Sequence, residues 1–209
     1  MAEYDLLVRG GTVVDGTGAA AFRGDVGVRD GCIVDIGALK GQGAREVDAE
    51  GAIVAPGFVD IHTHYDAQVF WDRMMTISPW HGVTTVILGN CGFGVAPTKP
   101  RDRDLILRTL ENVEGMSLDA LQAGLGAEWP FSTFGEFLSA IESRGTAIHV
   151  GAMVGHTPIR TWVMGEDAVS REASPEEIEE MRVLVAAALA EGALGFATSK
   201  APTHVGYDG

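Results

Sequence analysis

The alternation of apolar and polar positions changes character at Pro56-Gly57. Before that point, short apolar segments are separated by turn residues, and no stretch has helical periodicity. Residues 4–9, 12–14, 25–29, 32–36, 45–48 and 52–55 read as strands. Gly10-Gly11 and Asp15-Gly16-Thr17-Gly18 punctuate them, and Asp30-Gly31 is the dipeptide of a type I′ hairpin. Residues 1–55 are therefore expected to form a small β-domain. After the boundary, apolar strands alternate with helical segments. The strands are expected at residues 58–62, 83–88, 147–154 and 193–198. The last three are nearly continuous apolar runs, as in parallel strands covered on both faces.

The helices between these strands have recognisable ends. Residues 103–113 read as one helix. Ser132 caps a second at 133–143, whose Phe134, Phe137, Leu138 and Ile141 share a face. Ser174-Pro175-Glu176-Glu177 is a capping box with proline in the first helical position. The helix that it opens carries Ile178, Met181, Leu184, Val185 and Ala188 on one side and ends at Gly192. Residues 114–131, with Gly115, Gly124, Gly126 and Pro130, read as an irregular excursion. Strand and helix alternate four times, so the fold class is α/β. Residues 56–209 are expected to be the first four βα units of a (β/α)8 TIM-type barrel. A complete barrel needs roughly 250 residues, so further residues beyond 209 are expected to finish it.

Charge and composition narrow the function. The chain has 15 Lys and Arg against 29 Asp and Glu, a formal net charge of -14. Nucleic acid is thereby excluded as a partner, because phosphate backbones need a basic surface. No apolar run is long enough to span a bilayer, so no membrane partner is expected. The opening Met1–Gly11 lacks a basic segment followed by an apolar one, and a soluble cytoplasmic protein is the expectation. The two cysteines, Cys32 and Cys91, are too few for a disulfide framework. Cys32, on a hairpin strand, reads as core.

The candidate chemistry begins at Asp60-Ile61-His62-Thr63-His64, the end of the first barrel strand. Side chains alternate along a strand, so Asp60, His62 and His64 point the same way, which in a closed barrel is inward. The two histidines then lie near the C-terminal mouth, where barrel active sites sit. Two imidazoles one strand repeat apart can hold a single divalent ion such as zinc. A bare His-x-His is also compatible with two surface histidines. Its position directly after Pro-Gly-Phe-Val-Asp and a β-domain favours ligation. A carboxylate at Asp60 would orient an imidazole or a neighbouring strand. Cys91 ends the second strand among glycines, at the same mouth, and is either a thiolate ligand or a buried structural cysteine. His156 follows the third strand and either serves the site or orders a loop. Lys200 ends the fourth strand and could meet the metal, a substrate carboxylate or only solvent. His81 and His149 read as structural, the latter as a core residue, and His204 as a weak candidate for substrate contact.

Two motifs carry a family resemblance. The run from Ala55 to His64, Ala-Pro-Gly-Phe-Val-Asp-Ile-His-Thr-His, resembles the signature of the amidohydrolase superfamily. The run from His81 to Pro97, which contains Asn90-Cys91-Gly92, resembles its D-aminoacylase branch, the N-acyl-D-amino-acid deacylases. The likeness covers essentially the whole chain. It implies a (β/α)8 barrel holding one or two divalent metals, Zn2+ foremost, and a small β-sandwich built from both chain ends. Residues 1–55 would then be the N-terminal part of that sandwich, whose usual first strands the run from Leu6 to Gly18 matches.

By the same resemblance, His62, His64 and Cys91 are metal ligands, and Cys91 can bridge two metals. Lys200 stands where other branches place a carboxylated bridging lysine. Asp66 matches an acidic position after the histidine pair, and His156 lies in a Val-Gly-His segment common in the branch. The implied reaction is hydrolysis of the amide C–N bond of an N-acyl-D-amino acid by a metal-activated hydroxide. The family's catalytic aspartate and two further histidine ligands are expected beyond residue 209, in the remainder of the same protein. Residues 1–209 alone are accordingly expected to be inactive. The rival readings are a cyclic-amide hydrolase of hydantoinase or dihydroorotase type, to which Lys200 gives weight, and a metal-free scaffold, in which the histidine pair would usually be lost.

Overall fold

The computed structural model describes residues 2–126, 128–204 and 206. Two compact units divide the chain, Met1–Gly57 and Phe58–Gly209. The first contains β1 (Tyr4–Val13), β2 (Phe22–Arg29), β3 (Cys32–Gly37), β4 (Gly43–Asp48) and β5 (Ile53–Val54). They form one sheet in the order β3-β2-β1-β4, with β5 also on β1. Asp30 and Gly31 both have positive φ, 52° and 74°, as a type I′ turn requires. The two strands expected on either side of Gly10-Gly11 are one strand, β1. There the glycine pair absorbs a register shift against β2 between Val8 and Gly11 instead of breaking the strand. Tyr4, Leu7, Val13 and Val26 are the buried hydrophobic residues of these strands. Cys32 is exposed, contrary to the core assignment. It lies on β3, the outer strand of the sheet, where exposure runs along nearly the whole strand.

The second unit is a parallel β/α succession. Its strands are β6 (Phe58–Asp60), β7 (Val83–Leu88), β8 (His149–Ala152), β9 (Val154–Gly155) and β10 (Phe196–Ala197). β6 pairs with β7, β7 with β8 and β9 with β10, all parallel. The single strand expected at 147–154 is split because its partner changes. The Met153 N–H still donates to Leu88 O on one side, while the Val154 N–H donates to Gly195 O on the other. Neighbouring strands thus follow chain order, as in a (β/α)8 barrel.

Among the described residues five α-helices accompany these strands: α1 (Arg103–Glu114), α2 (Leu118–Leu125), α3 (Phe134–Arg144), α4 (His156–Met164) and α5 (Pro175–Ala190). Two of them fall where no helix was expected. α2 occupies part of the expected excursion and is capped by Ser117, whose side chain accepts from the Ala120 N–H. Its Gly124 is a packing glycine, since a Cβ there would lie 2.1 Å from the Trp71 ring. α4 starts directly at His156 with Pro158 in its first turn, a position at which proline is tolerated. The cap of α3 is Thr133, not Ser132, in a reciprocal box with Glu136. The core joins Val86, Leu88, Ala152 and Val154 of the strands to Ile106, Leu110, Leu121, Phe137, Ile141, Ile159 and Met181 of the helices. Phe137 is 2% exposed and packs against Phe70, Phe131 and Phe134. Burying one such side chain contributes about 1.5–3 kcal/mol. His149, read as core, is exposed at the start of β8. Among the described residues no helix is long and apolar enough to cross a membrane.

The capping box of α5 is reinforced by a two-pronged ion pair. Arg171 Nη1 and Nη2 donate to the two Glu177 oxygens at 2.8 and 2.7 Å. Arg171, followed by the Ser174 backbone N–H, holds the Glu177 carboxyl down at about 2, against an ordinary 4.5. A carboxyl whose pKa is lowered by folding stabilises the fold above its unfolded value and loses that contribution as protons return. The expected result is a loss of stability between pH 4.5 and about 2. The loss should be smaller in Arg171→Ala, and denaturant midpoints measured across that range check it.

Candidate metal centre

The histidine pair lies just beyond β6, which ends at Asp60, and not within the strand as the alternation argument assumed. The segment still follows β7. The Thr63 N–H and Oγ1 both donate to Ile87 O, at 3.2 and 2.7 Å. Asp60 lies at the end of β6. Its Oδ1 accepts from the His62 backbone N–H at 3.1 Å, which fixes the chain where it leaves the strand. The two rings stand 5.3 Å apart at 60°.

Cys91 arrives from β7 on a single 3-10 turn, Asn90–Gly92. Its φ of 57° lies in the left-handed region, which costs a non-glycine residue roughly 1–2 kcal/mol. Asn90 ties this turn to the histidine segment. Its Nδ2 donates to Ile87 O at 2.8 Å and to Thr63 O at 3.3 Å. Ser199 Oγ donates to Cys91 O at 2.7 Å from the loop after β10. The glycines around Cys91 let backbone meet backbone. A Cβ on Gly89 would stand 1.9 Å from Met153 O, and one on Gly155 2.7 Å from the carbonyl oxygens of Gly92 and Phe93.

These turns bring three donors together. One ligand atom each from His62, His64 and Cys91 lies within 4.8 Å of the others. Cys91 Sγ is 3.3 Å from His62 Nε2. Tetrahedral ligation with bonds of roughly 2.0–2.3 Å separates ligand atoms by about 3.3–3.8 Å, so the trio needs little closure to hold one ion. His62 is exposed, whereas His64 and Cys91 are half-buried. Burial, and then the charge of Glu114, push the Cys91 thiol up.

The other candidates surround this cluster at different removes. Asp66 is buried, and burial pushes its carboxyl up to about 7. His156 opens α4, its Nδ1 is 3.2 Å from Thr198 Oγ1, and burial pushes its pKa down. A cavity of about 370 Å³ is lined by Cys91, His156, Arg160, Thr198, Ser199 and His204. Ser199 Oγ also contacts His204 Nδ1, but its hydrogen bond to the Cys91 carbonyl makes it a tether of that turn. Lys200 is exposed after β10. Sequence reasoning missed Glu114, at the end of α1, whose Oε1 is 3.0 Å from His64 Nδ1. Folding raises the His64 pKa through this contact. No local signal marks Glu114, because 50 residues separate it from its histidine.

Comparison with known proteins gives consistent matches. The profile of the amidohydrolase family matches residues 45–208. A D-aminoacylase of Alcaligenes xylosoxydans xylosoxydans is 38% identical over 196 residues, 93% of this chain and 37% of that protein. A D-aminoacylase structure described for its binuclear metal centre is 37% identical. It superposes with a TM-score of 0.78 over 96% of this chain and 40% of its own. The N-acyl-D-glutamate deacylase of Bordetella bronchiseptica, solved with zinc and a phosphonate mimic of the tetrahedral intermediate, is 32% identical. Its TM-score is 0.73, over 93% of this chain and 38% of its own. The chain thus spans about two fifths of the length of these relatives. The α/β fold class expected from the strand–helix alternation is borne out.

Proposed function

The chain belongs to the amidohydrolase family, and on that premise we propose that the whole protein is a metal-dependent hydrolase of N-acyl-D-amino acids. The observation that carries the reading is the convergence of His62, His64 and Cys91 from two separate turns. Two imidazoles and a thiol form a donor set suited to zinc. In this reading residues 1–55 belong to a β-sandwich and residues 56–209 supply the first four units of a barrel completed by the rest of the protein. The two free thiols among the described residues fit a cytoplasmic setting.

Bound by these donors, the metal would polarise the scissile carbonyl and acidify a water near neutral pH. His62 and His64 would hold it through imidazole nitrogens and Cys91 through its thiolate. Asp60, Thr63 and Asn90 keep the two turns in register, so the donors are placed before substrate arrives. His156, whose pKa burial and then Arg160 push down, presents a hydrogen-bonding imidazole to the adjoining cavity. Arg160 brings positive charge to the same cavity, where a substrate carboxylate would lie. In this reading Cys91 would be a metal ligand where other branches use a lysine, and Lys200 would be left to the substrate side. The aspartate that would pass a proton to the leaving nitrogen belongs to the segment expected beyond residue 209.

The test is hydrolysis by the full-length protein loaded with zinc. N-acetyl-D-amino acids are expected to be cleaved, with L-enantiomers and cyclic amides slower by roughly 10-fold or more, at least ~1.4 kcal/mol in transition-state binding. Faster opening of a hydantoin or dihydroorotate ring would replace this reading with the cyclic-amide one.

A further inference from the structure

Glu114 occupies a place that stability alone does not account for. It is the last residue of α1, where a negative charge faces the negative end of the helix dipole. Its side chain is only 12% exposed, so it has also given up most of its hydration. Among the described residues no lysine or arginine pairs with it. Its Oε1 is fully buried and, among those residues, meets no donor in hydrogen-bond geometry, although His64 Nδ1 stands only 3.0 Å from it. Gly115 at φ 66° then turns the chain away, so the carboxylate is held at the helix end.

We propose that Glu114 is a positioning residue of the metal centre, and that it acts through His64. A small rotation of the His64 ring closes the hydrogen bond from Nδ1 to Oε1, which fixes the tautomer that leaves Nε2 as the free lone pair and holds the ring toward His62 and Cys91. Glu114 is not itself among the converged donors, which are His62, His64 and Cys91. Carboxylates that support ligating imidazoles in this way are worth 10–100-fold in metal affinity. The inference rests on the metal-centre reading above.

The experiment is competition for zinc between a chelator and the full-length protein, in wild type, Glu114→Gln, Glu114→Ala, His64→Ala and the double variant His64→Ala/Glu114→Ala. Glu114→Ala is expected to weaken binding by about 10–100-fold. Glu114→Gln, isosteric and still able to accept a hydrogen bond, should fall between it and wild type. In the His64→Ala background, loss of Glu114 should have no further effect, because its route to the metal is gone. The visible spectrum of the cobalt-loaded protein should change in Glu114→Ala as the His64 ring shifts. A residue that only supported α1 would weaken binding equally with and without His64, and that result overturns the proposal. So does wild-type affinity in Glu114→Ala. If His64→Ala itself leaves zinc affinity unchanged, the metal-centre reading fails first, and Glu114 loses its role with it.

Discussion

Cys91→Ala in the full-length protein is expected to lower kcat/KM for an N-acyl-D-amino acid by roughly 10³-fold, with bound metal lost in parallel. Cys91 is the one soft donor of the trio, and on the proposed reading the ion that it would help to hold would supply several kcal/mol of charge stabilisation at the reacting carbonyl. Cys32→Ala is the matched control, since Cys32 is exposed in the other compact unit and should change neither property. Cys91→Gly makes the argument sharper. Glycine adopts a φ of 57° without penalty, so the metal-free variant should be as stable as wild type or more so while remaining inactive. Stability gained together with activity lost would mark the strain at Cys91 as serving the site. Metal content and kcat/KM at wild-type levels in Cys91→Ala would remove the thiol from the centre.

The site was legible in the sequence where its geometry follows from chain order. Parallel strands deliver their C-terminal ends to one rim, so residues after β6 and after β7 had to meet there, and His62, His64 and Cys91 do. Capping chemistry was legible for a similar reason. Ser174 and Glu177 satisfy each other's backbone groups within one turn, and no distant residue can change that. What could not be read depends on contacts made across the fold. Gly124 looks like a helix breaker until Trp71 is seen lying against it. Glu114 looks like an ordinary helix-end glutamate until His64 is placed beside it. The exposure of Cys32 and His149 depends on what covers their strands, which local pattern does not encode. Asp60 was singled out for its carboxylate, yet the partner it meets is the main chain of His62, because the strand ends at Asp60 and the chain turns there, two residues before the first ring.

Gly89→Ala is expected to have the other large effect, on stability and metal binding together. Gly89 lies at φ 79° at the end of β7, directly before the Asn90–Gly92 turn. A left-handed alanine costs roughly 1–2 kcal/mol. A Cβ there would also sit 1.9 Å from Met153 O and 2.8 Å from Met153 C. Those are backbone atoms at the residue where the third strand changes partners, so the conflict is relieved only by moving one strand end from the other. Overpacking of this kind adds about 1–3 kcal/mol, for a total of about 2–5 kcal/mol out of a stability of 5–15 kcal/mol typical of a domain. The displaced element carries Cys91, and a shift near 1 Å at a catalytic group costs about 10²-fold in rate. Gly126→Ala separates the two contributions. Gly126 has φ 75° and, among the described residues, nothing within 4 Å of the added Cβ, so it reports the backbone penalty alone. Denaturation midpoints should therefore rank wild type above Gly126→Ala and Gly126→Ala above Gly89→Ala, and only Gly89→Ala should lose zinc affinity. Equal midpoints for the two variants, with zinc binding intact in both, would show that the contact between Gly89 and Met153 does not position Cys91.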